Sequence, residues 1–199
     1  MALEKLNTEV RREQIVEAAL GLIASQGVRR LSMAALARRV GLVPSGLYRH
    51  FGSKQEILRA AVQMIGQKAG ENLKAVRSLT PNSLERLQFL LTGIIKMIRE
   101  LQAMPRIIFS EGMSSGHPEE KEQAYEMLKG LLRQIEGIMR EGQERGEIRV
   151  DLDEKSLAVM FWGLIPPIVI LWHMSDGQFD VTRHAEKSWD LFRDGIRAR

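Results

Sequence analysis

The chain has 199 residues, 44% hydrophobic and 27% charged, with no cysteine and a formal net charge of +4. That length suffices for one domain or two small ones with a real core, and the absence of cysteine excludes a disulfide scaffold, a thiolate nucleophile and a Cys-based zinc site. Charge is unevenly placed: residues 1–55 hold nine Lys/Arg against four Asp/Glu, and Ala18–Gln55 contains no acid at all. A basic excess confined to one end is the footprint of a phosphate-binding surface.

In chain order, every long segment repeats its apolar residues at helical spacing and none alternates like a strand. The first helix is expected from a Thr8 cap to Gln26, with Ile15, Ala19, Leu22 and Ile23 inward and Gly27 closing it. Leu31–Lys54 then reads as two short helices joined by a tight turn. Ala37 is small enough for a close crossing, Gly41 can take the positive φ of the turn, and Leu47 faces the core. A helical wheel centred on Leu47 puts Phe51 and Pro44 on the buried side, within about 60°. Ser45 and Arg49 fall opposite, with Tyr48 and a bare backbone at Gly46 on the flanks. An outward guanidinium and hydroxyl are suited to base edges in a DNA major groove.

The fourth helix opens with Ser53-Lys-Gln-Glu56, a capping box, and its first amides with Lys54 form a phosphate site. Beyond Gly70, helices are expected near Asn82–Gln102, just after Pro105, and near Glu119–Arg145, Asp153–Ser175 and Val181–Arg197. The pair Pro166-Pro167 either kinks the penultimate helix or ends it and starts another. About nine helices joined by short loops make an all-α protein. The expected division is a three-helix helix-turn-helix domain over 1–55 and a second helical domain over 56–199.

The run Arg11–Val62, above all Gly46-Leu-Tyr-Arg-His-Phe-Gly-Ser-Lys54, resembles the DNA-binding domain of the TetR family of bacterial transcriptional regulators. The resemblance covers about a quarter of the chain. It implies that Ser32, Tyr48, His50 and Lys54 contact phosphates while Ser45, Gly46 and Arg49 meet base edges. It also implies that the rest of the chain binds a small effector and forms a homodimer through its last two long helices.

The C-terminal part is Met-rich, which suits an apolar pocket. Candidate pocket residues are Met97, Met104, Phe109, Met113, Tyr125, Met127, Phe161, Trp162 and Trp172. Candidate contacts between copies are Leu157, Phe161, Leu164 and Ile168, apolar nearly all round their helix, with the stripe Trp189, Phe192 and Ile196. His173 and His184 have no recognised metal spacing, and no nucleophile elbow, Walker loop or dinucleotide glycine pattern occurs. An enzyme, a metal site and a cofactor are therefore not expected.

The longest uncharged apolar run, Leu157–Trp172, is shorter than the roughly 20 residues of a membrane span, so a soluble cytoplasmic protein is expected. The expected function is a homodimeric repressor on a palindromic operator, released by a small apolar or amphipathic effector. The alternative is a DNA-binding protein whose C-terminal domain docks a protein partner.

Overall fold

A computed structural model describes residues 2–101, 103–108 and 118–198. The described chain is helical: α1 (Ala2–Gln26), a 3-10 turn (Val28–Arg30), α2 (Met33–Arg39), α3 (Pro44–Tyr48), α4 (Lys54–Leu79) and α5 (Ser83–Glu100). There follow α6 (Ala103–Ile108), α7 (Pro118–Glu144), α8 (Glu154–Gly163), α9 (Ile165–Met174) and α10 (Val181–Ile196). Helix α1 begins before Thr8, so Thr8 is not its cap. The preceding Leu-Glu-Lys-Leu run is made of good helix formers and extends the helix upstream.

The chain divides into two compact units. The first is Met1–Gln67 with a later segment that begins at Leu101 and includes α6; the second is Lys68–Glu100 with the chain from α7 onward. The boundary therefore lies within α4 rather than at 55/56. The first unit also takes back α6, because Ala103 and Ile107 are buried in one cluster with Ile15, Ala19 and Ile23 of α1, Leu36, Leu47 and Ile57.

In the second unit the buried faces of α5 (Leu87, Leu90, Ile94, Ile98), α7 (Ile135, Ile138, Met139) and α10 (Ala185, Trp189, Phe192) make the core. Gly142 of α7 allows a close approach: a Cβ there would lie 2.6 Å from Ile148 Cδ1 and 2.9 Å from Ser83 Cβ. Arg86 of α5 is 8% exposed yet fully engaged. It donates to Glu141 Oε2 at 2.5 Å and to the Thr80 carbonyl at 2.7 Å, tying α5 to α7 and to the loop before it. Arg77 also pairs with Glu141, at 3.4 Å.

Of the two outcomes open at Pro166-Pro167 the second occurs: within 153–175 one helix ends and another starts. The break falls at Leu164, and Pro166 and Pro167 sit in the first turn of α9, where amide donors have no intrahelical acceptor to lose. Glu154–Met174 spans 21 residues and contains an 18-residue window of mean hydropathy 1.8, long enough by length and composition to cross a membrane. Here it is a broken helix pair, one third buried. Its apolar residues divide between the core and an exposed face.

Candidate nucleic-acid interface

The helix-turn-helix forms from local signals. Ser32 caps α2, its Oγ accepting the Ala35 amide at 3.2 Å, which satisfies one orphan donor of the first turn. The turn is closed by Leu42 donating to the Ala37 carbonyl at 2.9 Å, with Gly41 at φ +69°. Ala37 and Leu47 are buried, so the two helices cross where the sequence places the small residue and the anchor. Helix α3 is short, but its bonding continues into the next turn, His50 and Phe51 both donating to the Leu47 carbonyl.

Ser45, Tyr48 and Arg49 are exposed on α3 and its C-terminal edge, as the wheel places them. Two neighbours differ from expectation. Pro44 is exposed rather than buried, because as the first residue of α3 it lies at the mouth of the turn. Gly46 is buried rather than bare: Leu42, Val43 and the Arg49 guanidinium lie 3.7–3.9 Å from where its Cβ would be.

The start of α4 is more occupied than the sequence suggests. Ser53 Oγ accepts the Glu56 amide at 3.2 Å, one arm of the expected capping box. The return arm reaches one residue further back, Glu56 Oε2 accepting the Gly52 amide at 2.7 Å. That bond, aided by Arg12, holds the Glu56 carboxyl below its ordinary range. Lys54 Nζ donates to the Val28 carbonyl at 2.7 Å. The phosphate site expected here thus already contains a carboxylate, and its lysine is tethered to the 3-10 turn.

Sequence reasoning missed Arg12. It donates to the His50 carbonyl and, at 3.1 Å, to Glu56 Oε1, and its Cζ lies 4.0 Å from the Phe51 ring centroid. A partner 38 residues away carries no periodic signal. His50 Nδ1 is buried without a hydrogen-bond partner.

The candidate pocket residues do not come together in one described site. Phe109, Met113 and the side chain of Met104 lie outside the described residues. Met97 and Phe161 are core residues, Trp162 and Trp172 are half-buried, and Tyr125 and Met127 are exposed. The described cleft lies instead in the second unit between α5 and α10, about 600 Å³, lined by Leu91, Ile95, Ala185 and Trp189 together with Lys96, Arg99, Glu100 and Glu186. No group of three or more metal-ligating side chains occurs among the described residues.

The expected contacts between copies are corrected too. Leu157, Phe161, Ile168, Trp189, Phe192 and Ile196 are at most 8% exposed within one chain, and Leu164 is half-buried. Phe161 packs on Trp189 and Phe192 with centroids 6.4 and 5.9 Å apart. They are this chain's own core. The exposed apolar side chains of the same helices are Val159, Met160, Ile170, Leu171, Met174 and Leu191.

A capped helix-turn-helix with a polar outer face, joined through α4 to a helical second unit, defines a DNA-binding regulator. Residues 15–69 match the family described as bacterial regulatory proteins, tetR family, and residues 67–195 match YsiA-like protein, C-terminal region. The chain belongs to the TetR family of bacterial transcriptional regulators. It is 24% identical to the fatty acid metabolism regulator protein of Bacillus subtilis over 92% of this chain and 94% of that one. Its identity to the nucleoid occlusion factor SlmA of Vibrio vulnificus is 23%, over 94% and 96%. A crystal structure of FadR from Bacillus subtilis with stearoyl-CoA superposes with a TM-score of 0.76 at 24% identity, covering 93% and 99% of the two chains.

Proposed function

We propose that the protein is a homodimeric repressor that reads a palindromic operator through α3 and leaves it when an amphipathic small molecule binds the second unit. The observation that carries this reading is the outward face of α3: Ser45, Tyr48 and Arg49 are exposed beside a buried Leu47, at the end of the chain that holds the basic excess. Arg49 and Ser45 serve base edges, while Ser32, Tyr48, His50 and Lys54 serve phosphates. Gly46, covered by its neighbours, contributes closeness of approach more than a contact. With Nδ1 of His50 buried, Nε2 is the ring nitrogen left for a phosphate.

Dimerisation is supported by the apolar side chains left uncovered on α8, α9 and α10. Pro167, Ile170, Leu171 and Met174 recur at spacings of three and four along one stripe. A two-fold pair of copies covering this face presents two identical recognition helices, hence a palindromic site. An amphipathic effector is supported by the α5–α10 cleft, which sets the apolar Leu91, Ile95, Ala185 and Trp189 beside two cations, Lys96 and Arg99, and two carboxylates, Glu100 and Glu186. The stearoyl-CoA bound by the Bacillus subtilis FadR is of that chemical class.

Footprinting of the protein's own DNA site tests the first half, with two symmetric half-sites about one helical turn apart expected. Arg49→Ala is expected to cost about 1–3 kcal/mol at one base position, and Lys54→Ala to weaken all sequences alike. For the second half, acyl thioesters and fatty acids are screened for raised Tm and operator release. By linkage, operator DNA must weaken binding of any true effector by the same factor. If no compound does either, a C-terminal domain that docks a protein partner becomes the better reading.

A further inference from the structure

Arg12 lies in α1, outside the helix-turn-helix, yet its guanidinium holds the turn that follows α3 at two points. It donates to the carbonyl of His50, and it lies 4.0 Å over the ring of Phe51, which is 1% exposed. Its other donor bonds Glu56 Oε1 of α4 at 3.1 Å, and the second oxygen of that carboxylate accepts the Gly52 amide at 2.7 Å. Residues 50–52 are therefore gripped in sequence: a carbonyl, a ring and an amide, by one cation and its counter-ion. The carbonyls at the end of a helix have no intrahelical donor, so without Arg12 the exit of α3 is left to water. Both side chains are about one-third exposed, at 38% and 35%. A pair so placed adds little to stability as an ion pair. Its value is geometric.

We infer that Arg12 is a positioning residue for operator binding: it fixes the end of α3, and with it the reach of Tyr48, Arg49 and His50, while Glu56 holds its guanidinium in place. This rests on the reading that α3 enters the major groove. The competing role for a cation at this edge is a direct phosphate contact. The two roles predict opposite signs at Glu56. Removing an acid from a DNA-binding unit and releasing a guanidinium strengthens binding if Arg12 is a contact. It weakens binding if Arg12 is a clamp.

The test uses the full chain with Glu56→Gln, Arg12→Gln, Arg12→Lys and the double variant, each confirmed helical by circular dichroism at the assay temperature. Operator and scrambled duplexes are titrated by fluorescence anisotropy. Glu56→Gln and Arg12→Gln are each expected to lose about tenfold in operator affinity, the equivalent of one charge-assisted bond. The double variant should lose no more than the weaker single one, because both act on one device. Scrambled DNA should bind Glu56→Gln no less tightly than wild type. Arg12→Lys keeps the charge but not the two-pronged donor geometry, so it should fail to restore operator affinity. The inference is overturned if Glu56→Gln binds the operator as tightly as wild type or tighter, or if Arg12→Lys is fully active. Should Arg12→Gln not fold, Glu56→Gln alone decides, since its amide keeps the shape and one acceptor. Arg49→Ala separates the two levels: if it leaves operator binding intact, the groove reading has failed, and the role of Arg12 falls with it.

Discussion

Phe192→Ala and Leu191→Glu, neighbours on α10, should fail in different ways. Phe192 is 8% exposed, with the Phe161 ring 5.9 Å and the Trp189 ring 6.3 Å away, so alanine opens a cavity between two aromatic partners. Such a truncation costs about 3–5 kcal/mol. With a urea slope of about 2 kcal/mol per M, the unfolding midpoint should fall by roughly 2 M. Leu191 is 78% exposed, and glutamate there should change the stability of a single chain by no more than about 0.5 kcal/mol. At a two-fold contact it removes one leucine from each copy and places a charge in each. A loss of about 3 kcal/mol or more raises the dimer dissociation constant about a hundredfold. Urea denaturation and sedimentation equilibrium on the same samples read both effects. A Leu191→Glu protein that dimerises normally would remove this face from the interface. A Phe192→Ala protein of normal stability but impaired dimerisation would restore the assignment that the sequence alone suggests.

Glu141→Ala strands the buried Arg86 guanidinium and should cost about 2–3 kcal/mol, below the range for full burial because Glu141 is 29% exposed; thermal and urea unfolding would show it. Gly142→Ala forces a methyl against Ile148 and Ser83 and should cost about 1–3 kcal/mol in the same assays. Because folding depresses the Glu56 carboxyl, its contribution is present in full above the ordinary value of 4.5 and is lost as pH falls through the folded value. The stability gap between wild type and Glu56→Gln should therefore close on acidification below pH 4.5, as followed by urea midpoints across that range.

The helix-turn-helix was legible because its determinants are local: a small Ala37 at the crossing, a glycine at the turn, and Leu47 at one wheel position. The break at Leu164 was half legible, since two prolines announce an interruption but not whether the helix bends or restarts. The inward side of α8 was not legible. A helix apolar all round offers no contrast, and only packing against α10 decides that Phe161 goes in while Val159 and Met160 stay out. The cleft was missed for a related reason, as it lies between α5 and α10 and includes Trp189, a residue the sequence assigns to a contact between copies. Arg12 and Glu56 were equally hidden, because a guanidinium's partners are set by tertiary geometry and not by spacing along the chain.

The seat that α6 occupies on α1 bears on the order in which the protein is made. As the chain leaves the ribosome, α1 to α4 can assemble at once, but Ala103 and Ile107 complete their core only after α5 has been synthesised. The DNA-binding unit is thus finished after the second unit has begun to emerge, against the simple order in which N-terminal domains close first. A nascent chain stalled before α6 should show helix without full protection of α1 from amide exchange, and a chain stalled well beyond it should show both.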